Sequence, residues 1–163
     1  MDIIFRDITE NDNMLLAKLI RNVFREFNID RSGTVYTDPT TDNLFELFQH
    51  DLSAYFVAEE NGQLLGGCGI YPTDGLHEGC AELVKFYLSP ESRGKGIGKL
   101  LLQVIIHKAK ELGYNQIYLE SFPELEKAVG MYGKAGFKMI NKPLGNSGHS
   151  ACTIWMTKEL DEL

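Results

Sequence analysis

Short apolar runs along the chain take turns with longer stretches in which apolar residues recur every three or four positions, the two periodicities of strands and helices. Residues 3–7, IIFRD, read as a first strand, after which Thr9 or Asn11 can cap a helix whose apolar positions include Leu15, Leu19 and Val23. Residues 27–42 read as loop and NLFELFQ as a second, short helix. AYFVAEE and QLLGGCGIYP are β-prone runs joined by Asn61-Gly62, a pair that tolerates the positive φ of a type I′ turn, so two adjacent antiparallel strands are expected.

Residues 80–90, CAELVKFYLSP, read as a further strand in which Ala81, Leu83 and Lys85 alternate with Glu82, Val84 and Phe86, although the pattern is not clean. Beyond a glycine-rich stretch, Ile97, Leu101, Val104, Ile105, Ala109 and Leu112 recur at helical spacing, and Gly113 stands where a C-terminal cap belongs. QIYLE is another strand, ELEKAVGMYGKAG a helix ending at Gly136, FKMI a short strand and ACTIWMTKEL a last one. The order β α α β β β α β α β β predicts an α/β sandwich, a mixed sheet with helices on both faces.

Composition narrows the function. The 163 residues suit one domain spanning 1–163, with 44% hydrophobic content and a net charge of −7. The acidic balance argues against a broad nucleic-acid face. No run resembles a signal peptide or reaches the length of a membrane span, so a cytoplasmic protein is expected. Cys68, Cys80 and Cys152 are odd in number and widely spaced, which predicts buried thiols, with no disulfide framework and no metal site.

The most positive and flexible segment is SRGKGIG, 92–98, between a strand and the strongest helix. A helix start presents unpaired N–H groups and partial positive charge, and glycines let those amides approach a ligand, so the segment reads as an anion cradle flanked by Arg93, Lys95 and Lys99. The alternative is a tight strand-to-helix connection with solvated cations. A P-loop fails twice: Leu100 follows Gly98-Lys99, and Arg93 stands at the first glycine. A dinucleotide fingerprint begins at Gly94-Lys95-Gly96, but its third glycine falls on Lys99. With Glu120 as a ribose-binding acid, that reading survives weakly. The pattern [QR]-x-x-G-x-[GA] is met by Arg93, Gly96 and Gly98.

On these residues, and on AELVKFYLSPESRGKGIGKLLL and AVGMYGKAGF at their mutual spacing, the chain resembles the GNAT superfamily of acetyl-CoA-dependent N-acetyltransferases from about residue 54 to 157. The resemblance implies a three-layer α/β/α sandwich with a largely antiparallel central sheet. It implies acetyl-CoA as cosubstrate, with the pyrophosphate on backbone N–H groups of Arg93, Gly94, Lys95, Gly96, Ile97, Gly98 and Lys99, and the pantetheine arm along the strand edge at Phe86 and Leu88. Many family members carry an asparagine seven residues before the helix tyrosine; here Leu125 replaces it.

Acetyl transfer to an amine needs a neutral amine, a polarised carbonyl and a proton donor for the departing thiolate. Tyr132 matches the family tyrosine near the thioester sulfur, the alternative being a core tyrosine on an amphipathic helix. Glu82, eleven residues before Arg93, matches the general-base glutamate of some members, against the alternative of a solvated strand carboxylate. The Phe86 N–H is the candidate to polarise the acetyl carbonyl. Glu120 is the second choice of base, and it or Ser121 lines the acceptor site. Arg31, Tyr36 and His149, in EFNIDRSGTVYTD and KPLGNSGHSA, are acceptor candidates, although PLGNSGH also reads as a hairpin connection with a surface histidine. The expected acceptor is a small amine or amino-acid-like molecule. Exposed strand edges make a homodimer plausible. The competing class is an acyl-CoA sensor without efficient transfer, which would need neither Tyr132 nor Glu82.

Overall fold

The computed structural model describes residues 2–161. Seven strands form one sheet: β1 (Ile3–Asp7), β2 (Ala54–Glu60), β3 (Gln63–Tyr71), β4 (Cys80–Leu88), β5 (Gln116–Ser121), β6 (Lys138–Ile140) and β7 (Ile154–Glu159). Their spatial order is β1-β2-β3-β4-β5-β7-β6, with β7 inserted between β5 and β6. Only β4 and β5 pair parallel; every other neighbour is antiparallel. Helices α1 (Asn13–Glu26) and α2 (Leu44–Leu47) cover one face, α3 (Ile97–Glu111) and α4 (Glu126–Lys134) the other. The element order and mixed sheet agree with the sequence reading.

Local chemistry explains the agreement. Asn61 and Gly62 have φ of 51° and 79°, which closes the β2–β3 hairpin as a type I′ turn requires. Gly113 ends α3 at φ 91°. Two details differ. The buried stripe of α1 is Leu16, Ala17, Ile20, Val23 and Phe24, while Leu15 is exposed, because Thr9 caps a short 3-10 turn and α1 begins only at Asn13. The expected loop at 27–42 contains two 3-10 turns, Val35–Thr37 and Pro39–Asp42, each capped by the side chain before it, Thr34 and Asp38.

A larger difference lies in β4. Gly67 faces Tyr87 and Gly69 faces Val84, so β4 carries one more residue than β3 across that interval. Lys85 takes φ 51° there, a β-bulge. The extra residue moves Phe86 and Leu88 onto the face of Ala81 and Leu83, toward α3 and α4, and leaves Glu82, Val84 and Tyr87 toward α1. Phe86 therefore does not share a face with Glu82, as plain alternation predicted. The Tyr55 hydroxyl donates to the Lys85 carbonyl at 2.8 Å and pins the bulge. Its ring lies across Gly67 and Gly69, where a β-carbon would come within 2.5 and 2.7 Å of it.

Candidate active site

Parallel pairing of β4 with β5 ends at Glu82–Tyr118. From Leu83 and Leu119 onward the strands diverge, and a cleft of about 620 Å³ opens between them, closed by α4 and by the turn before α3. Its walls include Phe86 and Leu88 on β4, Leu119, Glu120 and Ser121 on β5, and Leu125, Met131 and Tyr132 from the α4 region.

At one end stand the glycines. Gly94 and Gly96 have φ of 76° and 80°, so their conformation, with open space around each, is what demands glycine. Gly98 differs: a β-carbon there would come within 3.2 Å of Leu88 and 3.3 Å of Met131, so glycine brings the α3 terminus close to both. No backbone N–H from Gly94 to Lys99 donates to another described residue, and no side chain caps α3. These amides and the helix dipole point at an anion-sized gap. Gly94, Gly96, Gly98 and Lys99 line the cleft; Lys95 does not, and the Ile97 side chain is buried against Ala58 and Leu65. The Arg93 guanidinium is engaged, donating to both oxygens of Glu26 at 2.6 and 2.9 Å and to the Leu88 carbonyl at 3.1 Å, above the Phe27 ring. It braces the turn against α1.

Midway, Tyr132 packs edge-on against Phe86 and Phe137, with centroids at 6.0 and 5.8 Å. Its hydroxyl makes no hydrogen bond to a described residue. Because no buried side-chain nitrogen or oxygen among the described residues lacks a partner, that hydroxyl is open to the cleft. Burial pushes its pKa well above that of an ordinary phenol, so it stays protonated.

The far end is ionic. Glu82 is 3% exposed and accepts from the Thr73 hydroxyl at 2.6 Å. Burial raises its pKa to about 7; the Thr73 bond opposes that, the charge of Glu120 reinforces it, and His149 and Lys85 pull the other way. Glu82 Oε2 has no partner and, by the same argument, is reached by water. Glu82 adjoins the cleft wall, on which Lys85 and Glu120 stand. Both Glu120 oxygens are taken, one by Tyr118 at 2.6 Å and one by Ser147 at 2.5 Å. His149 is not the surface loop residue the sequence suggested: its side chain is 11% exposed and its Nε2 donates to Asp38 at 2.8 Å. Burial works against ionised Asp38, but the bond from His149, the charge of Lys85 and two bonds from Thr40 hold its carboxyl below the usual range. The 141–153 segment is thus both the connection between β6 and β7 and a strap over this end of the cleft. Leu144 N–H to Tyr118 and Asn146 N–H to the Asp74 carbonyl fasten it further.

The remaining acceptor candidates are placed differently. Arg31 sits over Phe122 and pairs with Glu124, a residue of the cleft rim. Tyr36 packs on Phe24 beneath the Arg25 guanidinium, away from the cleft wall. The sequence reading did not single out Lys85, Asp38, Thr73 or Tyr118, while Ser147 lay in the loop expected to offer hydrogen bonds at a pocket mouth. Lys85 left a trace, the broken alternation of β4.

A glycine turn, a splayed strand pair and a cleft-facing tyrosine describe a fold family as well as a site. The model of the acetyltransferase (GNAT) family matches residues 18–137. The chain belongs to the GNAT family. Among curated proteins, this GNAT chain is similar to the uncharacterized N-acetyltransferase YjgM of Escherichia coli, 36% identical over 159 residues that cover 96% of this chain and 95% of that one. In fold it is similar to a GNAT-family acetyltransferase from Staphylococcus aureus, with a TM-score of 0.87 and 22% identity over 98% of this chain and 100% of that one. It is also similar to the PaiA N-acetyltransferase of Thermoplasma acidophilum, solved in complex with coenzyme A, with a TM-score of 0.75 and 22% identity over 98% and 100%. The chain is therefore an N-acetyltransferase of the GNAT type. The free amides of 94–99 and the unpaired β4 edge fit a CoA cosubstrate, one as a seat for its pyrophosphate and the other as a track for its amide-bearing arm.

Proposed function

We propose that the chain transfers the acetyl group of acetyl-CoA to a primary amine of a small, amino-acid-like acceptor, by direct attack while both are bound. The observation that carries this reading is the pair of solvent-reached polar atoms with no partner among the described residues, Tyr132 Oη on the cleft and Glu82 Oε2 beside it. A carboxylate poised near pH 7 is suited to take a proton from an ammonium, here through a water, because Glu82 does not form the cleft wall itself. Glu120 is the poorer base, since two hydroxyl donors already satisfy it.

The amine nitrogen attacks the thioester carbon, whose oxygen is polarised by the Phe86 N–H on the unpaired stretch of β4. The carbon–sulfur bond breaks, the amine proton leaves through water to Glu82, and the thiolate departs beside Tyr132. A simple thiol has a pKa of about 8.5. The raised pKa of Tyr132 makes outright proton donation to such a thiolate uphill, so Tyr132 serves first as a hydrogen-bond donor to sulfur. The strap of 141–153, fastened over the ionic end, supports an acceptor of limited size.

Release of CoA thiol from acetyl-CoA, followed across polyamines, amino acids, aminoglycosides and lysine peptides, tests the reading. Turnover confined to small amines is expected. Turnover of peptides alone would move the acceptor to a protein chain, and silence across the panel with acetyl-CoA bound would favour a sensor.

A further inference from the structure

Lys85 is an unusual occupant of a strand interior. Its side chain is 4% exposed, yet it stands on the cleft wall. The only carboxylate oxygen within 4 Å of its Nζ among the described residues is Asp38 Oδ2, at 3.7 Å, too long for a hydrogen bond. Asp38 is meanwhile satisfied by His149 and Thr40. The ammonium thus has no hydrogen-bonded acceptor among the described residues, only the long ion pair with Asp38, and by the same accounting as for Tyr132 its nitrogen is not sealed from solvent. The bulge at φ 51°, pinned by Tyr55, takes Lys85 out of the strand alternation and directs it to the acceptor end.

A buried ammonium whose one counter-ion lies beyond hydrogen-bond distance is costly to a folded chain, and a ligand anion placed against it offsets that cost. We propose that Lys85 binds a carboxylate of the acceptor, so that the substrate is an amine that also carries a carboxylate, the amino-acid class. The inference rests on the transferase reading above and narrows its acceptor. The two ends of such a molecule find opposite charges: Glu82 and Glu120 toward its ammonium, Lys85 toward its carboxylate. A zwitterion offers an anion to Lys85 and a cation to the glutamates, whereas a polyamine would leave Lys85 facing cations.

The test compares α-amino acids with their carboxamides, which lack the anion and carry a less basic amine, at matched concentrations of free amine, in CoA-release assays of wild type, Lys85→Met and Lys85→Arg. Wild type is expected to favour the acids by about tenfold to a hundredfold in kcat/KM, the range for one charge-assisted hydrogen bond, mostly through KM. Lys85→Met should erase that preference with acetyl-CoA affinity unchanged, and Lys85→Arg should restore part of it. Should Lys85→Met fail to fold, the acid-to-amide ratio of wild type decides alone. Calorimetry of N-acetylamino acids and their amides on the CoA-loaded protein reads the same site without turnover. Lys85-dependent binding of the acids with no CoA release from any amine would uphold the carboxylate site and refute the transferase reading. Equal use of acids and amides, preference for amines lacking a carboxylate, or neither turnover nor binding of any carboxylate-bearing probe would overturn the proposal.

Discussion

The two ends of the cleft are made of different material. The end facing the glycine turn is built from main chain: open amides at 94–99, two glycines at positive φ, and a strand edge freed by divergence. The acceptor end is built from side chains brought together over long separations, with His149 meeting Asp38 across 111 positions and Ser147 meeting Glu120 across 27. On the proposed reading, main chain meets what every acyl-CoA shares. Side chains at the other end are matched to one another. The general cosubstrate therefore meets the invariant chemistry of the backbone, and the particular acceptor meets side chains.

Substitutions that act on one end alone test that division. The largest effect is expected from Glu82→Gln, which should lower kcat about 10²- to 10⁴-fold at pH 8, the range for loss of a general base, while the Kd for acetyl-CoA stays unchanged by calorimetry. In wild type, kcat/KM should fall about tenfold per pH unit below the Glu82 pKa of about 7, because the base acts only when deprotonated. A flat profile from pH 5.5 to 8 would remove Glu82 from that role. Tyr132→Phe should cost about ten- to a hundredfold in kcat with little change in KM for acetyl-CoA; unchanged turnover would leave Tyr132 as packing alone. Gly96→Ala addresses the other end. A β-carbon at φ 80° is strained though unobstructed, so the turn should relax in the free protein and about 1 kcal/mol, or roughly fivefold, should appear in the KM for acetyl-CoA and not in that for the amine; the same loss in Tm alone would mean the turn keeps its shape.

The same glutamate links chemistry to stability. Its folded pKa of about 7 exceeds the ordinary 4.5, so the folded state holds a proton that the unfolded state releases between those values, and stability declines as pH rises through that window. Glu82→Gln should remove a decline of a few kcal/mol and raise Tm relative to wild type above pH 7 while abolishing turnover. A lower Tm at pH 8 would mean that the ionised carboxylate is a net structural asset.

The main-chain end was legible because its causes are local. Glycines at fixed spacing before an amphipathic helix report a turn and a helix start wherever they occur, and Asn61-Gly62 does the same for a hairpin. The stripe of α1 was misplaced by about a residue because Thr9 caps a short turn that precedes the helix. In β4, alternation put Phe86 on the wrong face. A bulge costs one residue, and only the pairing with β3 shows where it is spent. The acceptor end was legible in Glu82, Glu120, Ser121 and His149 and in the hydrogen-bonding loop that carries Ser147, but which residue pairs with which was not. Nothing near Asp38 announces a histidine 111 positions away, and Lys85 reads as an ordinary strand lysine until the left-handed backbone turns it inward.

The insertion of β7 between β5 and β6 carries a consequence for the order of assembly during synthesis. The segments from β2 to α4, which supply the glycine turn, the bulge and Tyr132, leave the ribosome before β7 does. Until β7 arrives, one edge of β5 is bare and the strap has no anchorage beyond it. A nascent chain thus holds the glycine turn and the bulge before the strap over the other end of the cleft is anchored. An exposed inner strand is also a template for pairing with other chains. The interval between α4 and β7 is when this molecule is most open to association with its own copies.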